Sequence, residues 1–329
     1  MFPPTALLES YSVSRREALR RATGTLAGMA LAPLGSTLQA FGQSEAPAIT
    51  PSPAVIDAHS HVWTDDVARY PLAAGFSPAD MRPVSFTPQQ LLAHARPCGV
   101  GRVVLIQMSY YGTDNSYMLA AMREFAGVFS GVAVVDEHDT QLPATVRELK
   151  RQGVHGFRIH PAKQPVERWL SSPGMAALWK LGADENLAMC ALVNPDALVP
   201  LDAMCRKFPE TPLVIDHFAR IGVDGTLDNR DIDKLCRLAR HPRTYVKVSA
   251  FYALGKKQAP YTDLAPMIRQ LLTAFGHERL MWATDCPYQV EEGHTYRDSI
   301  ELIRSRLDFL SAEDRSWLLG KTAQRVFFS

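Results

Sequence analysis

Eight short runs of apolar, largely β-branched residues alternate with helix-like stretches along most of this chain, and no other feature limits its fold as strongly. The runs cover 54–56 (leading into Asp57-Ala58-His59), 103–108, 128–135, 154–159, 187–193, 213–215, 245–248 and 280–283. Helix-like composition fills 116–125, 144–151, 174–185, 231–240 and 265–275. Strands joined by helices of this length are βαβ units of a parallel sheet, with right-handed crossovers. Eight of them predict an α/β fold, a closed (β/α)8 TIM barrel in a single domain. An open doubly wound sheet is the competing arrangement, but no GxGxxG follows any of the runs. Residues 62–101 carry five prolines and are expected to form a long excursion after the first strand, a wall or lid.

The first 48 residues have a different character. Ser14-Arg15-Arg16-Glu17-Ala18-Leu19-Arg20 resembles the twin-arginine export signal, with Ala18 where that signal prefers Phe. After Arg21 no charge appears until Glu45, and small residues stand at Ala40, Ala46 and Ala48. The expected organisation is a signal peptide and linker over 1–48, cleaved between 40 and 48, followed by the barrel over 49–329. The implied partner is the twin-arginine export machinery, and the implied location is periplasmic or secreted. Gly24, Gly28, Pro33 and Gly35 interrupt the apolar stretch, so it falls short of the ~20 apolar residues of a membrane span. No stable membrane anchor is expected.

Beyond residue 48 the chain carries 31 basic against 31 acidic side chains. With no basic excess to neutralise phosphates, nucleic acid is not an expected partner. Five cysteines with no CxxC pair exclude a zinc ribbon and a disulfide scaffold. These exclusions leave a small-molecule enzyme as the first expectation.

Chemistry in a barrel gathers at the C-terminal ends of the strands, and reactive side chains fall there repeatedly. Asp57, His59 and His61 end the first run; period-2 alternation puts all three on one face, fit to bind a divalent metal or grip an anion. Gly156, Arg158 and His160 alternate onto one face of the fourth, and an inward Arg needs an anion to meet it. Asp216 and His217 end the sixth run. Adjacent residues of a strand face opposite ways, so His217 is expected inward and Asp216 tied to neighbouring backbone. Tyr245, Lys247 and Ser249 share a face in the seventh, Tyr252 follows, and Asp285 stands at the mouth after the eighth. Cys286 has no histidine at suitable local spacing and reads as a buried structural thiol. Trp63 and Trp282 fit either packing or the pocket wall, and His94, His138, His155, His241, His277 and His294 read as surface or loop residues.

DAHSHVW at 57–63, GFRIHP at 156–161, IDHFAR at 215–220, VKVSAFY at 246–252 and WATDCPY at 282–288 together resemble the amidohydrolase superfamily. Within it they are most like the branch that holds 2-pyrone-4,6-dicarboxylate lactonase and L-fuconolactonase. Gln107 with Thr113-Asp114-Asn115 and the segment from Ser311 to Phe327 share the likeness, which covers about residues 54–328. Thr322 departs from the usual Asn.

The resemblance implies a reaction centre built from His59, His61 and Asp285. The fifth run lacks the histidine that many metal-dependent members add, and the fourth lacks a bridging Lys or Glu unless His160 substitutes. His59, His61 and Asp285, completed by His217, could hold one zinc or manganese, and a metal-free or weakly loaded centre is favoured. The expected reaction is hydrolysis of a small anionic lactone. Asp285 acts as general base, and His59, His61 and His217 stabilise the oxyanion. Arg158, His160, Lys163, Arg220, Lys247 and Tyr252 are the substrate-binding candidates. The alternatives are a metal-dependent decarboxylase, which should carry the missing histidine, an amidase, and an exported small-molecule binding protein without catalysis.

Overall fold

A computed structural model describes residues 55–161 and 165–329. The export reading of residues 1–48 and the substrate-binding candidate Lys163 lie outside the described residues. Every apolar run is a strand: β1 (Val55–Ser60), β2 (Val100–Ile106), β3 (Phe129–Ala133), β4 (Val154–Ile159), β5 (Ala188–Ala191), β6 (Leu213–Ile215), β7 (Thr244–Val248) and β8 (Leu280–Trp282). The helices are α1 (Pro88–Ala95), α2 (Ser116–Glu124), α3 (Leu142–Arg151), α4 (Pro173–Glu185), α5 (Leu198–Lys207), α6 (Asn229–Arg237), α7 (Ala265–Phe275) and α8 (Tyr296–Glu301), one after each strand. Two short helices, α9 (Ala312–Ser316) and α10 (Thr322–Phe327), close the chain. The excursion after β1 thus contains α1, opened by a Thr87 capping box with Pro88 at the first helical position.

The strands pair in parallel in chain order. β8 returns to β1 through a bridge between Ser60 and Cys286, with His61 N donating to the Cys286 carbonyl (2.8 Å) and Asp285 N to that of His59 (2.8 Å). The barrel therefore closes at the two strand ends that bear His59, His61 and Asp285. β3 stops short of the predicted 135 because the Asn115 amide takes over both backbone groups of Val134, accepting from its N–H (3.0 Å) and donating to its C=O (2.9 Å).

One apolar cluster draws Ile56, Ala58, Ile106, Cys190, Val214 and Met281 from the strands and Phe327 from α10. It fills the barrel beneath the strand ends, while the larger cluster joins the outer sheet face to the helices. Burial of this kind contributes roughly 25 cal/mol per Å² of apolar surface and supplies the rigidity on which the strand-end groups stand.

Asp57 departs from the expected alternation. Ile56 and Ala58 face the inner cluster, so Asp57 faces away from it, and the pairing with β2 shifts register between Asp57 and Ser60. The carboxylate accepts from His59 N (3.1 Å), Ser60 Oγ (2.9 Å), Thr284 N (3.0 Å), Thr284 Oγ1 (2.5 Å) and Tyr296 Oη (2.8 Å). It pins β1 to the β8 end and to α8 rather than joining the two histidines. The register shift turns His59 inward despite Asp57.

Candidate active site

Five strand ends converge on one buried polar centre. His59 and His61 come from the end of β1, Arg158 from β4, Asp216 and His217 from just beyond β6, Lys247 and Ser249 from β7, and Asp285 from beyond β8. Lys247, His59 and Asp216 are fully buried, and Asp285 is 5% exposed. Around Asp285, Oδ1 lies 3.2 Å from His61 Nε2 and 3.4 Å from His59 Nε2, while Oδ2 accepts from Tyr252 Oη at 2.7 Å. His217 Nε2 faces Oδ2 across 3.8 Å, too far for a direct hydrogen bond, and its Nδ1 meets Ser249 Oγ at 2.8 Å.

Asp216 belongs to this centre too, contrary to the expectation that it ties down neighbouring backbone. Its carboxylate meets Lys247 Nζ at 3.0 Å, Arg158 at 3.4 Å and His59 Nδ1 at 3.5 Å. The cause is the backbone. β6 ends at Ile215, and His217, Phe218, Ala219 and Arg220 all have positive φ, from 51° to 59°. Strict alternation ends where the chain stops being extended, and the left-handed turn delivers both neighbours to the same space. Left-handed conformations cost roughly 1–2 kcal/mol per non-glycine residue, and such strain concentrates at functional sites. Asp285, at φ 71°, shares it.

The electrostatics follow from burial opposed by close charges. Burial pushes the Asp216 carboxyl up, but Lys247, His59 and Arg158 outweigh it and hold the group well below the usual carboxylate range. Burial likewise raises Asp285, and His217, His61 and His59 reverse the shift, so it too stays ionised at neutral pH. Burial lowers His59 well below the ordinary imidazole value, with Lys247 and His217 adding to the effect. His217 falls to about 4, burial again leading, so both rings are neutral at pH 7.

His59 Nε2, His61 Nε2 and Asp285 Oδ1 lie 3.2–3.4 Å from one another. Ligands at the ~2.0–2.1 Å of zinc in a tetrahedron are themselves about 3.3 Å apart, so two imidazoles and one carboxylate are spaced to hold such an ion. His61 Nδ1 donates to the Ile106 carbonyl at 2.9 Å, which turns its Nε2 toward the centre. β5 brings Cys190 rather than a histidine, and burial holds that thiol at about 12.

The other candidates divide. Tyr252 joins the site through Asp285. His160 follows β4 and Arg220 ends the left-handed turn, both half-buried. Cys286 is fully buried with its thiol pushed well above the ordinary value, as a structural cysteine should be. Trp282 packs against Tyr296 and donates to Ser299 (3.2 Å), and Trp63 packs on Tyr110 and Phe86, so both serve packing. His294 is no simple loop residue: its ring lies 6.1 Å from that of Tyr252 and its Nδ1 2.7 Å from Tyr261 Oη. Tyr288, given no role from sequence, stands 6.2 Å from the His61 ring and 6.4 Å from that of Tyr252. It sits inside the WATDCPY motif, the signal that could have found it.

A parallel barrel with histidines and an aspartate at its strand ends defines a hydrolase-type centre. The amidohydrolase family pattern matches residues 56–328, and the chain belongs to that family. L-fucono-1,5-lactonase of Burkholderia ambifaria is 29% identical over 73% of this chain and 82% of its own length. 2-Pyrone-4,6-dicarboxylate hydrolase of Comamonas testosteroni is 26% identical over 74% and 80%. Among solved structures, an amidohydrolase of Burkholderia multivorans with bound zinc superposes with a TM-score of 0.71 at 23% identity, covering 84% of this chain and 99% of that one.

Proposed function

We propose that this protein hydrolyses a small carboxylated lactone. The observation that carries the reading is the ionised Asp285, buried among three histidines and oriented by Tyr252, beside a cationic wall. The curated relatives named as lactone hydrolases support it.

The chain's own residues supply each step. Arg158 holds the substrate carboxylate. Arg158 Nε is a buried donor without a hydrogen-bond partner among the described residues, which a bound anion satisfies. With Ser249 donating to its Nδ1, His217 presents Nε2–H to the ring carbonyl. Asp285 takes a proton from water as the water oxygen bonds to the carbonyl carbon. When the ring C–O bond breaks, Asp285 returns that proton to the departing oxygen, leaving a hydroxy acid. His59, His61 and Asp285 would hold a zinc or manganese ion, which when bound supplies Lewis-acid polarisation of the carbonyl.

The test is turnover of a panel of aldono- and dicarboxylate lactones, read as one proton released per ring opened. Tight binding without ring opening across the panel would replace this reading with that of a binding protein.

Two further results are expected. Asp285 stays ionised well into acid, and His217 is neutral above about 4, so kcat/KM should fall as His217 gains a proton near pH 4, because the imidazolium then pairs with Asp285 and weakens it as a base. A pH profile without a fall near pH 4 would refute the assignment of His217. Arg158→Lys keeps the charge but loses the planar fork, and KM should rise about tenfold with kcat nearly unchanged. A fall in kcat at constant KM would remove Arg158 from substrate binding.

We further propose export by the twin-arginine route, on the strength of Ser14-Arg15-Arg16 and the uncharged stretch that follows. Replacing Arg15 and Arg16 by Lys should retain the full-length chain in the cytoplasm on cell fractionation. Unchanged export would exclude this route.

A further inference from the structure

Lys247 has no part in the reaction above, yet it is fully buried inside the barrel. Its ammonium lies 3.0 Å from Asp216 Oδ1, 3.1 Å from His59 Nδ1 and 5.5 Å from the centre of the Phe327 ring. An ammonium only donates hydrogen bonds. A ring nitrogen at 3.1 Å from it is therefore placed to accept, and the single proton of a neutral His59 is then on Nε2.

The groups around the other nitrogen agree. His59 Nε2 faces the Asp285 carboxylate, which can only accept, with Oδ1 at 3.4 Å, and lies 3.3 Å from His61 Nε2. Two contacts pull the other way: Asp216 Oδ1 could accept from Nδ1 at 3.5 Å, and Arg158 could donate to Nε2 at 3.5 Å. Both are at the outer edge of hydrogen-bond distance, and Lys247 is nearer.

We propose that Lys247 is a positioning residue that fixes the proton of His59 on Nε2, so that this nitrogen serves as a hydrogen-bond donor to Asp285 and resists ligating a metal. Ligation needs the Nε2 lone pair, so the proton must move to Nδ1, against the Lys247 ammonium. Histidine ligands ordinarily donate their second N–H to a carboxylate or carbonyl. His61 has such an acceptor in Ile106; His59 meets a cation instead. The centre has the spacing of a metal site and one lysine set against its use as one.

The proposal uses the site identified above, but neither of its readouts involves substrate, so its failure and that of the lactone reading are separate. Nitrogen NMR of the full-length protein labelled with ¹⁵N-histidine should show His59 protonated at Nε2, assigned by loss of its signals in His59→Gln. In parallel, zinc binding is measured by calorimetry, counting only the part abolished by His61→Ala. Lys247→Met should bind zinc at least tenfold more tightly than the unaltered protein, with the His59 proton moved to Nδ1. A proton on Nδ1 in the unaltered protein, or equal zinc affinity in a folded Lys247→Met, overturns the proposal. Should Lys247→Met not fold, the position of the proton in the unaltered protein decides alone.

Discussion

Asp285→Asn should lower kcat for lactone opening by about 10³-fold, the scale of a lost general base, while leaving KM within a few-fold. The substitution keeps the shape and keeps an oxygen for Tyr252 to donate to, now at 2.7 Å from Oδ2. What it removes is a group able to hold a proton between attack of water and departure of the ring oxygen. It also removes the charge that His61, His59 and His217 share at 3.2, 3.4 and 3.8 Å. Folding should suffer little, because a buried carboxylate is replaced by a neutral amide and no cation is left without its principal partner. Steady-state kinetics beside a thermal unfolding curve separate the two effects. A kcat within tenfold of the unaltered protein, with a normal unfolding curve, would mean that another group takes the proton. Retained substrate affinity with turnover abolished is the signature of a base rather than a binding residue.

The eight strands were legible because a parallel sheet buried on both faces leaves near-continuous apolar runs, and this chain has one for each strand. His59, His61, Lys247 and Asp285 were legible for a related reason. A charged or imidazole side chain at the end of such a run or just after it has the barrel mouth as its natural destination. Asp57 and Asp216 were misplaced by a single assumption, that alternation persists to the last residue. In β1 a register shift breaks the parity between Asp57 and His59; after β6 the chain leaves the extended region at His217. Parity reverses a side chain with one residue of slippage, so it is weakest at strand ends, where the chemistry sits. The contacts of Tyr252, Tyr288 and His294 depend on how loops fold over one another. Tyr252 meets Asp285 from 33 positions away, and no local pattern encodes that contact.

Asp216→Ala is expected to be the most destabilising single change at the site, costing about 3–5 kcal/mol, the range for removing one partner of a buried ion pair. Lys247 would be left in a fully buried position with His59 and the Phe327 ring in place of a carboxylate at 3.0 Å, and Arg158 would lose its pairing as well. The large effect comes from leaving these cations uncompensated more than from the worth of the pairs themselves. A double-mutant cycle makes that distinction: Asp216→Ala combined with Lys247→Met should be less destabilising than the sum of the single changes by more than about 1 kcal/mol. Urea unfolding midpoints provide the measurement, and strict additivity would show that the two groups do not share the charge balance described. The same network gives a pH dependence with a definite sign. Asp216 has a folded-state pKa held well below its unfolded value of about 3.9, so its stabilisation is fully present above that value and is lost as pH falls toward the lowered one. The unaltered protein should therefore lose stability below about pH 4 more steeply than Asp216→Ala, and the two unfolding midpoints should converge in acid.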